Sequence, residues 1–299
     1  MSFPQLLEVA VGLAVVYYIL GAIVSFVTKL VNDTAQTRGK ALQKYLQQAL
    51  GDKYLELNEL PQIKSLRPIR YKNWVGLFRS ETEPKMVEKI PAPVLVDAFF
   101  DLTGLSGKAG LNADELLAAI NQLPESEGKQ AVMKWIGQGV TDVNKLRDRT
   151  TAYLTGVLDQ ASATFKANAR SVVIILSILV TLLFGTDSIQ LARDLWDNAE
   201  LRAVAAAQAN AVVQQQGAEV GLEELIDDLK AYSIQVGWWQ TQSLPQDGQV
   251  GTWVGFILLK LTGLTLTALA VSQGSSFWYD LLKRMTGNSG KEAGGEASG

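Results

Sequence analysis

The apolar positions of the chain gather into three long runs, and the stretches between them are patterned as soluble helix. Residues 6–27 form the first run, in which Glu8 is the only charged side chain. About 20 helical residues cross a hydrocarbon core of about 30 Å, so this run predicts a membrane span. No Lys or Arg precedes it and its first basic neighbour is Lys29, which favours a retained anchor over a cleaved leader. Residues 172–184, VVIILSILVTLLF, form the second run, behind Lys166 and Arg170. That run is short for a crossing, and extension to Leu191 brings Asp187 to the membrane edge. Residues 253–271 form the third, interrupted by Lys260. Trp253 marks one end; Phe277, Trp278, Tyr279 and Asp280, followed by Lys283 and Arg284, mark the other as an interfacial anchor.

Between the first two runs the spacing predicts a helical domain. Ala41, Leu42, Tyr45, Leu46 and Leu50 recur at helical spacing within residues 34–50, continuing from the first span. Pro61, Pro68, Pro84, Pro91 and Pro93 then divide the chain into loops and short helices. Residues 94–102 and 111–123 predict two more helices, the second opened by Asn112 with Glu115 three residues on. Residues 141–170 predict a long helix that runs into the second span. Residues 188–215 read as one helix rich in Ala and Gln, residues 222–229 as a further one, and the Gly/Ser-rich tail 287–299 as disordered.

The fold class is therefore all-α: three transmembrane helices with a helical cytoplasmic domain. The segments are 1–30, 166–191 and 250–273 for the spans and 31–165 for the cytoplasmic domain. An acidic external helical segment takes 192–249, and an interfacial helix takes 274–286. Charge sets the orientation. Residues 28–170 hold 20 Lys and Arg against 16 Asp and Glu, whereas 185–249 hold 3 against 10. Lys29, Arg38, Lys40, Lys166 and Arg170 flank the first connection, and basic loop ends stay in the cytoplasm. The N-terminus is then outside and the C-terminus inside.

Composition removes several chemistries. With 0 His and 0 Cys, there is no Cys/His metal site, no thiol nucleophile and no imidazole base. A net charge of −3 gives no field for nucleic acid, and no cofactor or metal site is predicted. Gly104, Gly107 and Gly110 depart from the phosphate-loop spacing, since Lys108 is followed by Ala109. The basic run Lys64, Arg67, Arg70, Lys72 and Arg79 reads as a solvated face beside Glu81, Glu83 and Glu88. The carboxylate pairs Asp97/Asp101 and Asp227/Asp228 read as surface groups, and no enzyme is expected.

What remains lies in the spans. A lysine at membrane depth needs a partner, and Glu8 and Asp187, near the outer ends of the first two spans, are the candidates for Lys260. An intramembrane polar cluster of Glu8, Asp187 and Lys260 is the expectation. Gly251 with Gly255, and Gly21 with Ser25, are small-xxx-small pairs suited to close helix packing, within the chain or in a homo-oligomer.

Two stretches carry a resemblance. TDSIQLARDLWDNAELRA at 186–203 and LKLTGLTLTALAVSQGSSFWYDLL at 259–282 resemble a widespread group of uncharacterised bacterial integral membrane proteins with three spans and a GxPFWFDLL-like ending. Asp187, Ile189, Leu195, Trp196, Leu201 and Arg202 match in the first stretch. Lys260, Gly263, Gly274, Phe277, Trp278, Asp280 and Leu281 match in the second. Ser276 stands where that group has Pro, and Thr155 and Gln160 also depart from it. The resemblance implies a shared architecture in a bacterial inner membrane and no activity. The lipid bilayer is one partner. The expected function is a membrane-anchored scaffold that docks a cytoplasmic protein; the alternative is a subunit of an oligomeric pore or ion pathway.

Overall fold

The computed structural model describes residues 3–71, 82–106, 113–214 and 249–287. The described residues are helical apart from one short ribbon, and the chain divides into two compact units. Among the described residues, three helices are long and apolar enough to cross a membrane: α1 (Phe3–Ala35), α8 (Val143–Phe184) and α11 (Val250–Val271). The predicted helices at 222–229 and the tail beyond Gly287 lie outside the described residues.

Unit 2, Asn32–Asn168, contains α2 (Thr37–Leu50), α3 (Lys53–Glu59), α4 (Pro61–Lys64), α5 (Ala92–Leu102), α6 (Ala113–Asn121), α7 (Glu127–Gly137) and the first part of α8. β1 (Ile69–Tyr71) and β2 (Thr82–Pro84) pair antiparallel, Ile69 opposite Pro84, within the proline-rich stretch predicted as loops and short helices. Its core closes on itself. Leu46, Leu57, Ile63, Leu95, Phe100 and Ile120 belong to one apolar cluster in this unit. Helix α7 comes so near α2 that a Cβ at Gly128 would lie 2.4 Å from the Ala49 carbonyl oxygen. Ser126 caps α7 by accepting from the Lys129 amide at 3.2 Å. The predicted continuation of the first span into α2 is broken at Gln36, whose φ of 50° is left-handed; its Oε1 accepts from the Met86 amide at 3.0 Å.

Unit 1, Met1–Val31 with Ala169–Gly299, holds the apolar runs together with α9 (Ser188–Asp197), α10 (Ala199–Gln214) and α12 (Ser275–Met285). Helix α1 is its axis. Of the most apolar stretch of α1, 67% is buried, against 17% in α8 and 28% in α11, whose side chains project outward. The single helix predicted over 188–215 is two. Asn198 adopts φ −112°, ψ 108°, and its side chain accepts from the amides of Glu200 and Leu201 at 2.9 and 3.2 Å. That satisfies the first turn of α10 and ends α9. Helix α10 then lays Ala205, Ala209, Val212 and Val213 into the same core as Val15, Ile19 and Leu20 of α1.

Candidate functional site

The site is built where α8 stops. Gly185, at φ +60°, follows the last residue of α8 and turns the chain in a conformation that costs glycine little. Two residues on, Asp187 opens α9: its Oδ1 accepts from the amides of Ile189 at 2.9 Å and Gln190 at 3.2 Å. A carboxylate there satisfies two orphan donors and meets the positive end of the helix dipole.

The other oxygen of the same carboxylate faces Lys260. Asp187 Oδ2 and Lys260 Nζ are 3.6 Å apart, an ion pair rather than a close hydrogen bond, and both residues are buried. Gly263 makes this possible. A Cβ on it would lie 1.7 Å from Asp187 Oδ1, so the carboxylate rests directly on the backbone of α11.

Next to the pair runs a line of hydroxyls. Tyr17 and Ser188 share a hydrogen bond at 2.6 Å, Ser188 and Thr267 share one at 2.8 Å, and Thr267 donates to the Gly263 carbonyl at 3.0 Å. A hydroxyl has one proton to give. Since Thr267 gives its own to Gly263, Ser188 must donate to Thr267, and Tyr17 to Ser188. The line is therefore directional. Thr186 and Thr181 nearby in the chain keep buried hydroxyl oxygens without a hydrogen-bond partner among the described residues.

The two helices that bring these groups together agree on depth. Lys260 lies about ten residues, or about 15 Å, from either end of α11. Tyr17 lies about nine residues from Glu8 and about twelve from Lys29, the charges that bracket the apolar run of α1. Both measures put the site near the middle of the apolar layer, deeper than the outer-edge position expected for Asp187.

Glu8 does not join the pair. It is ion-paired with Arg202 of α10, Nε to Oε2 at 3.0 Å, because it sits about 13 Å along α1 from Tyr17, at the level where α10 begins. Arg202 Nη1 also donates to the carbonyls of Leu195 and Trp196 at 2.8 and 2.7 Å, so the guanidinium caps the C-terminal end of α9. Helix α9 thus carries an anion at its first turn and a cation on its last carbonyls, both in the sense that favours the dipole. Arg202, Tyr17, Ser188 and Thr267 join the site without being among the residues that the sequence predicts for it. Gly-Thr-Asp-Ser at 185–188 was a readable stop-and-start signal; the hydroxyl contacts had none.

The packing residues divide. A Cβ on Gly21 would meet the Ser275 amide nitrogen at 3.0 Å, and Ser25 and Ser275 place their hydroxyl oxygens 3.4 Å apart, so this pair seats the start of α12. Among the described residues, Gly251 and Gly255 have nothing within 4 Å of an added Cβ. In the predicted interfacial anchor, Phe277 is exposed, as are Asp280 and Arg284, while Lys283 is half-buried. Trp278 and Tyr279 turn inward. The Trp278 ring lies 4.7 Å from that of Tyr17 and its Nε1 donates to Ala270 at 2.7 Å, and Tyr279 lies 6.4 Å from Tyr18.

Elsewhere the predicted surface groups have ordinary partners. Asp97 pairs with Arg147, and Asp101 accepts from Gln62. Lys64 and Arg67 both reach Glu59, and the Lys64 ammonium, followed by Arg67, holds that carboxyl below its usual range. Gly104 is the turn after α5, at φ +65°. Gly107, Gly110, Lys72, Arg79 and Asp227/Asp228 lie outside the described residues. No protein-family model, no curated protein and no solved structure matches the chain.

Proposed function

We propose that the chain is a multi-pass docking protein of a bacterial inner membrane, with unit 2 as a cytoplasmic platform for a soluble protein partner. The observation that carries this reading is the closed core of unit 2. Phe100, Leu57, Ile63 and Leu95 are buried within the unit's own residues, as expected of a domain that keeps its fold in water. Its basic ends, Lys29, Arg38, Lys40, Lys166 and Arg170, favour the cytoplasmic side, with the N-terminus outside and the C-terminus inside.

The absence of cysteine makes the topology directly measurable. Gln48→Cys, on α2, is expected to react with a membrane-impermeant maleimide in inside-out vesicles alone, and Glu200→Cys, on α10, in right-side-out vesicles alone. The opposite pattern overturns the orientation. Photocrosslinking from exposed positions of unit 2 in intact cells is expected to trap one stoichiometric protein; recovery of none overturns the docking role.

A second reading is favoured by one observation, the buried Asp187–Lys260 pair beside a directional hydroxyl line at mid-depth. Ionisable groups at that depth mark ion and proton pathways. Current across a planar bilayer that Lys260→Leu abolishes would support this reading, and a bilayer silent with the wild-type chain ends it.

A further inference from the structure

Between α1, α9 and α11, wholly within unit 1, lies a cleft of about 650 Å³ lined by Val9, Leu13, Ile189, Trp196, Leu266 and Ala270, among others. That volume falls within the range of small-molecule sites, roughly 300–1,000 Å³. Tyr17 and Ser188 also line it, but both hydroxyl protons are committed to the line that ends at Gly263. The apolar wall with no spare donor among these hydroxyls suits a hydrocarbon tail.

Two further lining residues differ from the rest. Arg193 and Asp197, one turn apart on α9, are exposed, and neither forms an ion pair among the described residues. Their depth follows from the packing of α9 along α1. Ser188 bonds Tyr17, Leu195 lies against Gly12, and Trp196 accepts from Gln5, so α9 runs from the middle of the apolar layer toward the N-terminal end of α1. Asp197 is about 13 Å beyond Ser188, at the edge of a hydrocarbon half-layer of about 15 Å. Arg193 starts about 8 Å beyond Ser188, and its stem reaches the rest of the way. A cation and an anion therefore stand side by side at headgroup level, above an apolar cleft.

We propose that this cleft is a specific phospholipid site. One acyl chain lies between α1, α9 and α11. The headgroup is zwitterionic with a primary ammonium, its phosphate held by Arg193 and its ammonium by Asp197. Guanidinium matches phosphate bidentately, and a primary ammonium offers Asp197 three donors that a quaternary ammonium lacks. A purely anionic headgroup satisfies Arg193 and is repelled by Asp197.

The test uses the full chain in nanodiscs of equimolar phosphatidylethanolamine, phosphatidylcholine and phosphatidylglycerol. Gentle detergent extraction and native mass spectrometry then identify the retained lipid. One phosphatidylethanolamine per chain is expected, enriched about fivefold over the other two, the scale of an exposed ion pair. Arg193→Ala and Asp197→Ala are each expected to remove the enrichment. The double exchange Arg193→Asp with Asp197→Arg restores it in part, because the headgroup can reverse; a variant that merely misfolds restores nothing. Circular dichroism of each variant checks that the helices persist. Retention of phosphatidylglycerol at or above phosphatidylethanolamine, retention of no lipid, or indifference to Arg193→Ala with helices intact overturns the proposal.

Discussion

Each unit buries a lysine, and the two are housed in different ways. Lys129 of unit 2 is 7% exposed and lies at the edge of a helix junction. Its ammonium donates to the Leu123 carbonyl at 2.8 Å, to Asn121 at 3.3 Å and to Glu125 at 2.8 Å, and Glu125 itself is largely in solvent. Lys260 of unit 1 is 8% exposed, but its carboxylate partner Asp187 is buried with it, near the middle of a spanning helix. The first lysine closes the carbonyl end of a helix with water close at hand. The second depends on a counter-charge held in place by a helix start, inside a unit whose helices are long and apolar enough to cross a membrane. Removing one half of a buried pair leaves an uncompensated charge, whereas removing a charge near water lets solvent substitute.

The comparison is sharpest at Lys260. Lys260→Leu is expected to destabilise unit 1 by about 3–5 kcal/mol, and Lys260→Leu with Asp187→Asn to recover a large part, since Asn can still cap α9. Thermal unfolding in detergent, followed by intrinsic fluorescence, reads both. A double variant as unstable as the single one breaks the idea that the stranded carboxylate is the cost. Gly263→Ala comes next, at about 1–3 kcal/mol, because the added methyl displaces the Asp187 carboxylate from its seat. If Gly263→Ala is neutral, the carboxylate does not rest on α11 as described. The smallest effect belongs to unit 2, where Ser126→Ala removes the α7 cap at a cost of about 1 kcal/mol. A loss there as large as at Lys260 would erase the contrast between the units.

The three helices long and apolar enough to cross a membrane could be read directly, because that is a local property: enough apolar residues in a row. Helix α8 was equally readable, since residues 141–170 continue without a breaker into the apolar run. The partner of Lys260 was half readable. Charge at depth demanded a carboxylate, but choosing Asp187 over Glu8 required the level of each helix, which no spacing rule supplies. The single helix expected over 188–215 is two because Asn198 caps a new start, and the packing of the second was hidden because alanine carries little amphipathic signal. Ala205 and Ala209 are buried by close approach to α1, where Gly12 leaves room, and not by bulk. The hydroxyl line eluded sequence because its members are far apart in the chain. Ser188, Tyr17 and Thr267 are unremarkable until three distant segments meet.

That distance has a consequence for how the protein is made. The groups that complete α1 arrive late: Ser188 bonds Tyr17 from 171 residues further along the chain, Arg202 meets Glu8 from 194, and Ser275 reaches Ser25 from 250. At a synthesis rate of roughly 5–20 residues per second, the first helix waits in the bilayer for on the order of ten seconds before its partners leave the ribosome. During that interval Glu8, Tyr17 and Gly21 lack the partners that they meet in the finished unit. Final assembly of this unit is therefore expected to wait until α9, α10 and α12 have been made, with α8 the earlier arrival in the same core.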